Sequence, residues 1–454
     1  MTIHVTAFAA AFVGVPASAH PDSSSPEPDP APPPVAGSPH TAPPESYAFK
    51  WRFDWRGWEG LQLEVSKQTF APDALTDLPV VRLDEVKLTG TIGGKVEVDA
   101  AAFNTTGTLT GFDDGVQLRR ARIRARGDSV LLVPFNYRID LGYASNQFTV
   151  TQAYLAFPNL DYIGTLRIGQ FQPPMGLDVI TSSWDIAFME PPAPLQAIAP
   201  STQTGIQIGA PFADARGTWA LGLFGLWSTS SEYGSTSKNF GNAIGRITWL
   251  PVDGINADRP AANRFLHLGI STNIQYASDG QLQYRSRPES HIAPYVVDTG
   301  AIQTDNAATF GGEVAWVNGP FSAQGEFIRS TVDERAGSKL TFDAFYAFAS
   351  WYPTGESRPY DRQSGAFQRL IPRSRFAFGE GGGWGALEVA LRYSHTNLTD
   401  GNVQGGRLNL LMGTLNWYPT PNIRWMLEAG VGSVRNGASD GNLTIVQTRV
   451  GVDF

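Results

Sequence analysis

Between Gly115 and Gly127 the chain reads GVQLRRARIRARG, and four of its arginines, Arg120, Arg122, Arg124 and Arg126, are spaced by two. In an extended strand they share one face, about 6.6 Å apart. The opposite face carries Ala121, Ile123 and Ala125, side chains suited to lipid. An arginine turned to the middle of a bilayer costs about 2–4 kcal/mol, so a row of four points to water on the inside of a barrel. Arg119 breaks the alternation and is expected off the midplane or at a bulge. Arginine stays charged at any relevant pH and presents a planar fork that matches two oxygens of a phosphate or carboxylate. A row of such forks in a narrow pore makes adjacent anion sites, tight enough to admit an ion and divided enough to release it. The competing reading is that these arginines pair with acidic residues across the lumen and only hold the pore open.

Other basic residues fall on the same side. Arg138 alternates with Tyr137 and Ile139, and Arg167 lies between Leu166 and Ile168; Asp140 shares the face of Arg138 and is placed to neutralise it. Long connecting segments add Arg285, Arg287, Arg373 and Arg375. Of the 34 basic residues six are Lys and the rest Arg, a bias toward fork-like oxyanion contacts over point charges.

Strands must position these groups. From about Ile92 onward, segments of alternating apolar and polar residues are bounded by Gly, Pro, Asn or Asp, the period-2 pattern of strands with two unlike faces. The predicted strands are 92–103, 115–127, 130–144, 147–157, 162–171, 204–212, 217–228, 242–251, 264–277, 307–317, 321–332, 340–352, 384–397, 406–418, 422–434 and 444–454. Many reach the 9–11 residues that cross a bilayer, and sixteen is an even number of porin size. The fold class is therefore all-β, a transmembrane antiparallel β-barrel of about sixteen strands with inward-folded loops, rather than a soluble β-sandwich. In the last strand Val450, Val452 and Phe454 point one way and Gln447, Arg449 and Asp453 the other. Aromatics near segment ends (Trp417 and Tyr418, Trp351 and Tyr352, Trp249) are expected in interfacial girdles. With the chain ending in the periplasm, 172–203 and 278–306 are outer loops. Residues 353–383 are too long for a periplasmic turn and are expected to fold into the lumen.

Composition agrees. Charged residues make up 17% of the 454, against roughly 25% in soluble proteins. The net charge of -8 argues against a nucleic-acid-binding surface. Zero Cys excludes thiolate metal sites and disulfides; no metal or cofactor is expected. Residues 1–19, with an apolar run from Ala7 to Val15 before Ala17-Ser18-Ala19, read as a secretory signal lacking the usual leading Lys or Arg. Residues 20–46 are a Pro/Ser-rich disordered linker, 47–91 an N-terminal extension, and 92–454 the barrel. Enzymatic chemistry finds no support: His4, His20 and His40 lie in the leader and linker, His267, His291 and His395 have no nucleophile motif nearby, and no GxSxG or HExxH occurs.

At these residues the sequence resembles the phosphate-selective porins of the O and P type. The matching stretches are LRRARIRARG (118–127), AYLAFPNLDYIGTLRIGQFQPPMGL (153–177), FME (188–190), WVNGPFSAQGEF (316–327), AFASWYPTGESRPYDR (347–362), WGALEVALRYSHTNL (384–398), GGRLNLLMGTLNWYPTPNIRWML (405–427) and RVGVDF (449–454). The resemblance implies a trimeric outer-membrane barrel, exported through the periplasm, whose inward loops form an anion-selective constriction, with Arg120–Arg126 as an arginine ladder and 172–203 as the constriction loop. Its partners would be small phosphate-like anions and outer-membrane lipid. Glu190 is followed by Pro191 and Pro192 where the family usually has a basic residue, and a lysine cluster is depleted. The expected function is passive diffusion of small anions along an arginine-lined lumen; the alternatives are a weakly selective diffusion porin and a structural or adhesin-type barrel.

Overall fold

In the computed structural model each alternating segment becomes a strand because a lipid face and a water face can be kept apart only by a two-residue period. The structure describes residues 46–54, 60–68, 87–130, 133–144, 147–225, 236–238, 241–256, 260–276, 280–379, 382–437 and 439–454. The leader at 1–19 and the linker at 20–46, save its last residue, lie outside them.

Sixteen long strands form the wall: β1 (Lys87–Thr105), β2 (Gly115–Val130), β3 (Pro134–Ala144), β4 (Gln147–Leu160), β5 (Gly164–Phe171), β6 (Gln203–Phe212), β7 (Gly217–Phe224), β8 (Gly241–Gly254), β9 (Arg264–Tyr276), β10 (Ile302–Asn318), β11 (Phe321–Glu334), β12 (Lys339–Trp351), β13 (Ala386–Asp400), β14 (Val403–Thr420), β15 (Ile423–Arg435) and β16 (Gly441–Asp453). Each pairs antiparallel with its neighbour, and β16 pairs with β1 from Leu443↔Thr105 to Asp453↔Lys95. The sheet therefore closes and has no edge in the hydrocarbon, where an unpaired N–H or C=O costs several kcal/mol. Closure reaches the last residue: Gly94 donates to the Phe454 carbonyl at 2.7 Å and accepts from the Phe454 amide at 2.8 Å. A side chain at Gly94 would collide with the Phe454 ring at 2.9 Å. Among the described residues no helix is long and apolar enough to cross a membrane; strands do the crossing.

All sixteen strands expected from the alternation are present. Two features were not anticipated. A hairpin of Ser46–Asp54 and Gly60–Gln68 lies within the N-terminal extension, its second strand pairing with β1 from Ser66↔Lys87 to Leu61↔Ile92, beyond the Phe454 level. The second is a correction to the girdle. Trp351 and Trp417 do face outward, but Tyr352 and Tyr418 are buried in the lumen. The Tyr418 hydroxyl donates to Glu388 Oε2 at 2.9 Å. Adjacent strand residues point to opposite faces, so a Trp-Tyr pair cannot share a girdle. The stacked pairs Phe212–Trp249 and Phe321–Trp351 and the register pair Trp417↔Trp425 form the belt at the Phe454 end.

The interior is unevenly filled. The β5–β6 loop, the β9–β10 loop and the β12–β13 segment all turn inward and pack on the faces of β8–β16. Phe171, Phe188, Leu195, Tyr284, Phe342 and Phe348 belong to one buried cluster there. The β12–β13 segment behaves as its length suggested. Tyr360 meets the buried His267 Nδ1 at 2.7 Å, Arg358 donates to Gln324 at 2.6 Å, and Arg246 donates to the Gly365 carbonyl at 2.9 Å. Tyr360, Phe367 and Leu177 of the β5–β6 loop share a second core. Shortening this segment between Pro359 and Arg375 should raise single-channel conductance while leaving heat-modifiable gel mobility, the signature of an intact barrel, unchanged; unaltered conductance would mean the segment does not narrow the passage.

Candidate functional site

The arginine stripe of β2 begins with a bulge. Its register against β1 shifts between Glu97 and Val98, leaving Arg119 without a partner. A bulge sends two consecutive side chains to one face, so Arg119 and Arg120 both enter the lumen and both are buried. From Arg120 on, Arg122, Arg124 and Arg126 keep that phase, while Ile123 is exposed on the other side. The stripe runs from the constriction loop down to the rim at the Phe454 end.

Two sets of cations result. The upper set is closed. Arg119 holds Glu190 of the β5–β6 loop with Nε at 2.7 Å and Nη2 at 2.9 Å. Arg120 donates to Glu97 at 2.9 Å and reaches Glu190 at 3.4 Å. Arg449 donates to Glu190 at 2.6 Å and to Asp99 at 2.7 and 2.8 Å. Three guanidiniums meet three carboxylates, all nearly water-free. Burial alone would raise the Glu190 carboxyl, but Arg119, Arg120 and Arg449 override it and hold it well below the usual carboxylate range. Its stabilising charge is therefore present throughout neutral pH and is lost only as pH falls through that depressed value. His291 of the β9–β10 loop is pushed down to about 3 by burial and by facing Arg119, so it adds no charge. The same loop supplies Glu289, whose φ of 55° turns its carboxylate onto Arg392 at 2.5 Å. Further down the constriction loop, Glu428 accepts from the Met189 amide at 2.7 Å, and Arg424 donates to the Trp184 carbonyl at 3.0 Å.

The lower set is open. Arg122, Arg124, Arg126 and Arg138 gather around Asp140. Arg138 grips it at 3.0 and 2.7 Å, the neutralisation the shared face suggested, and Arg124 approaches at 3.5 Å. The side chains of Arg124 and Arg138 remain 16% and 27% accessible, and Arg126 is exposed; among the described residues no inward loop covers them. Arg167 continues the row on β5, its guanidinium 4.7 Å over Tyr154 and 5.2 Å over Phe171.

The sequence-derived residues thus separate by place. Arg122, Arg124, Arg126, Arg138 and Arg167 share the unfilled half of the lumen, whereas Arg120 is locked in the clamp. Arg285 and Arg287 stack on Tyr295 at 4.2 and 4.4 Å in the inward β9–β10 loop. Arg373 and Arg375 are exposed on the β12–β13 segment at the Phe454 end, apart from the rest. Sequence reasoning missed Lys95, Glu97, Asp99, Glu190 and Arg449 as one unit. The two-residue spacing of Lys95, Glu97 and Asp99 was a readable signal; the partner loop was not. Among the described residues no group of acids and histidines is set to hold a metal.

A family model, phosphate-selective porin O and P, matches residues 91–454, the whole of the barrel wall but the first four residues of β1. The chain belongs to that family. It is a porin of the bacterial outer membrane. It is similar to Porin O of Pseudomonas aeruginosa, 26% identical over 409 residues that cover 79% of this chain and 88% of that one. Among solved structures it is similar to an anion-selective porin from Comamonas acidovorans (13% identity, TM-score 0.49, 81% and 100% covered). It is also similar to the outer membrane channel DcaP of Acinetobacter baumannii (11% identity, TM-score 0.48, 81% and 97% covered).

Replacing Glu190 with Gln leaves three buried guanidiniums short of one charge. Breaking a buried pair costs about 3–5 kcal/mol, and a loss of that size should appear in urea unfolding of the refolded barrel. Arg373→Ala, at an exposed position, should stay within about 0.5 kcal/mol of the parent. Equal effects would remove the clamp.

Proposed function

We propose that this porin passes small anions, phosphate or related oxyanions, by passive diffusion along the arginine-lined half of its lumen. The observation that carries the reading is the cluster of cations around Asp140: Arg122, Arg124, Arg126 and Arg138 act on this one side of the lumen at partly water-accessible positions, with Asp453 the further acid that acts on Arg124, while Arg119, Arg120 and Arg449 are buried against Glu97, Asp99 and Glu190. An anion descending this wall would exchange one guanidinium fork for the next about 6.6 Å on, in a passage whose field is set by nearby charges rather than by the chain's net charge. Arg167 extends the row, Arg285 and Arg287 lie on the approach from the outer loops, and Arg373 and Arg375 at the exit. Arg120 contributes by seating the constriction loop. The porin acts without catalysis or cofactor. Its exported form follows removal of a leader at 1–19, carries the Pro/Ser-rich linker at 20–46, and assembles as a homotrimer, the reading that the family resemblance supports.

A weakly selective diffusion porin is the alternative, favoured by the pairing of Arg119, Arg120, Arg392 and Arg449 with acids. Reversal potential in a planar bilayer under a salt gradient separates the two. The parent should prefer anions, with phosphate blocking chloride current. The triple variant R122A/R124A/R126A, which leaves the Arg138–Asp140 pair intact, should lose that preference, and R373A/R375A should change it far less. Cation preference in the parent, or unchanged selectivity in the triple variant, would refute the proposal.

A further inference from the structure

The β12–β13 segment is fastened to the ring at widely separated points. Arg362 donates to Asp253 of β8 at 2.6 Å, and the Gly365 carbonyl accepts from Arg246 of the same strand at 2.9 Å. A few residues on, Arg369 holds Asp453 of β16 at 2.8 Å. The Phe376 amide then donates to the Pro419 carbonyl of β14 at 2.8 Å. In a ring of sixteen strands β8 and β16 stand opposite each other, so the stretch from Arg362 to Arg369 crosses the lumen close to a diameter at the Phe454 end. Its backbone reaches at most about 25 Å, and the long arginine side chains at both ends supply the rest of the crossing.

Such a strap parts the mouth. On one side stand β9–β15 with the loops that pack on them; on the other stand β1–β7, which carry Arg122, Arg124 and Arg126.

Arg369 lies where the strap meets the arginine side. Its partner Asp453 is paired in register with Lys95 of β1, and Lys95 with Arg122 of β2, so two steps along one row lead from the strap to the ladder. Asp453 also acts on Arg124. The side chains of Arg369 and Arg124 are alike in their access to water, 13% and 16%, whereas Asp453 between them is at 3%. Trp184 of the β5–β6 loop, its ring 5.5 Å from the Arg369 guanidinium, fixes the fork in place. Ser183 of that loop holds Lys95 at 2.6 Å, and Asp185 and Arg424 complete the charges nearby. A fastening needs no access to water; here the cation is the accessible member of the pair, as Arg138 is beside Asp140.

We propose that Arg369 is the exit cation of the conducting path. An anion leaving Arg124 takes the Arg369 fork, sharing it with Asp453, before it passes out of the mouth. The inference rests on the anion reading above and adds to it a residue of the strap, so that the segment which parts the mouth also lines the exit.

Reversal potential of the full-length porin in a planar bilayer under a KCl gradient tests it. R369Q should lower the anion-to-cation permeability ratio about fourfold, the effect of one unit charge about 10 Å from the ion's track at an effective dielectric of about 40. D453N should raise the ratio by a similar factor, and R369Q/D453N, which removes a neutral pair, should return it close to the parent. A pair that only fastened the strap would shift the ratio in the same direction in both single variants. Because the chain has no cysteine, Arg369→Cys offers a single thiol. A cationic thiol reagent added to the open channel should restore the parent ratio, and an anionic one should lower it further. Heat-modifiable mobility establishes that each barrel is formed, and the cysteine variant serves if R369Q does not fold. Shifts of one sign in R369Q and D453N, a thiol that does not react, or an effect of R362Q (the strap freed at β8) equal to that of R369Q would overturn the proposal. Cation preference in the parent would end the anion reading instead, because opposed shifts are read from either starting value and would still put Arg369 beside the ion's path.

Discussion

Hydrocarbon accepts neither an unpaired backbone group nor an uncompensated charge, and the organisation of this porin follows from that exclusion. The first half of the constraint closes the wall: β16 must find β1, and the hydrogen bonds do not stop until Gly94 and Phe454 have exchanged theirs. The second half sorts side chains by face. Guanidiniums that cannot look outward at mid-membrane look inward, and once inside they face a further choice set by water. Where a loop covers them they need carboxylates, as Arg119, Arg120 and Arg449 find Glu97, Asp99 and Glu190. Where no described loop covers them, solvent shares that work with Asp140 and Asp453. The same rule reads the exterior: charges appear on the lipid side only where the apolar band has ended.

The wall was legible because its cause is local. A two-residue period is imposed on every strand by the same two solvents, and it survives in each segment independently of the others. The face of Val450, Val452 and Phe454 against Gln447, Arg449 and Asp453 could be read without knowing any neighbour. The hairpin at Ser46–Asp54 and Gly60–Gln68 carried the same alternation (Tyr47, Phe49, Trp51 and Phe53; Leu61, Leu63 and Val65) and a Gly-bearing turn between its strands, but it stands before the barrel, directly after the Pro-rich linker, and was read as part of an extension. The girdle reading failed at Tyr352 and Tyr418 for a simpler reason: clustering in sequence was taken as clustering on a face.

The site was legible only in outline. That four arginines share a face follows from spacing, but which of them meet water depends on where loops land, and a loop has no period. Glu190 is remote in sequence from both Arg119 and Arg449, and nothing in FMEPP announces that its carboxylate will sit between them. The bulge that turns Arg119 inward was suspected from the broken alternation, although its effect, doubling the cations offered to one carboxylate, needed the register with β1. Arg285, Arg287, Arg373 and Arg375 had composition in their favour and no geometry, and they lie at different stations of the molecule.

The position of Arg449 near the carboxyl terminus has a consequence for the seam. Its partners Asp99 and Glu190 belong to the first strand and to the loop after the fifth, so the three can meet only once the last strand has joined the first. The Arg449 anchor of the inward β5–β6 loop therefore exists only in the closed cylinder, whereas its contacts with Arg119 of β2 and Glu428 of β15 do not need the seam between the first and last strands. Seam and inward loop are thus fastened by the same guanidinium, so that opening one would loosen the other.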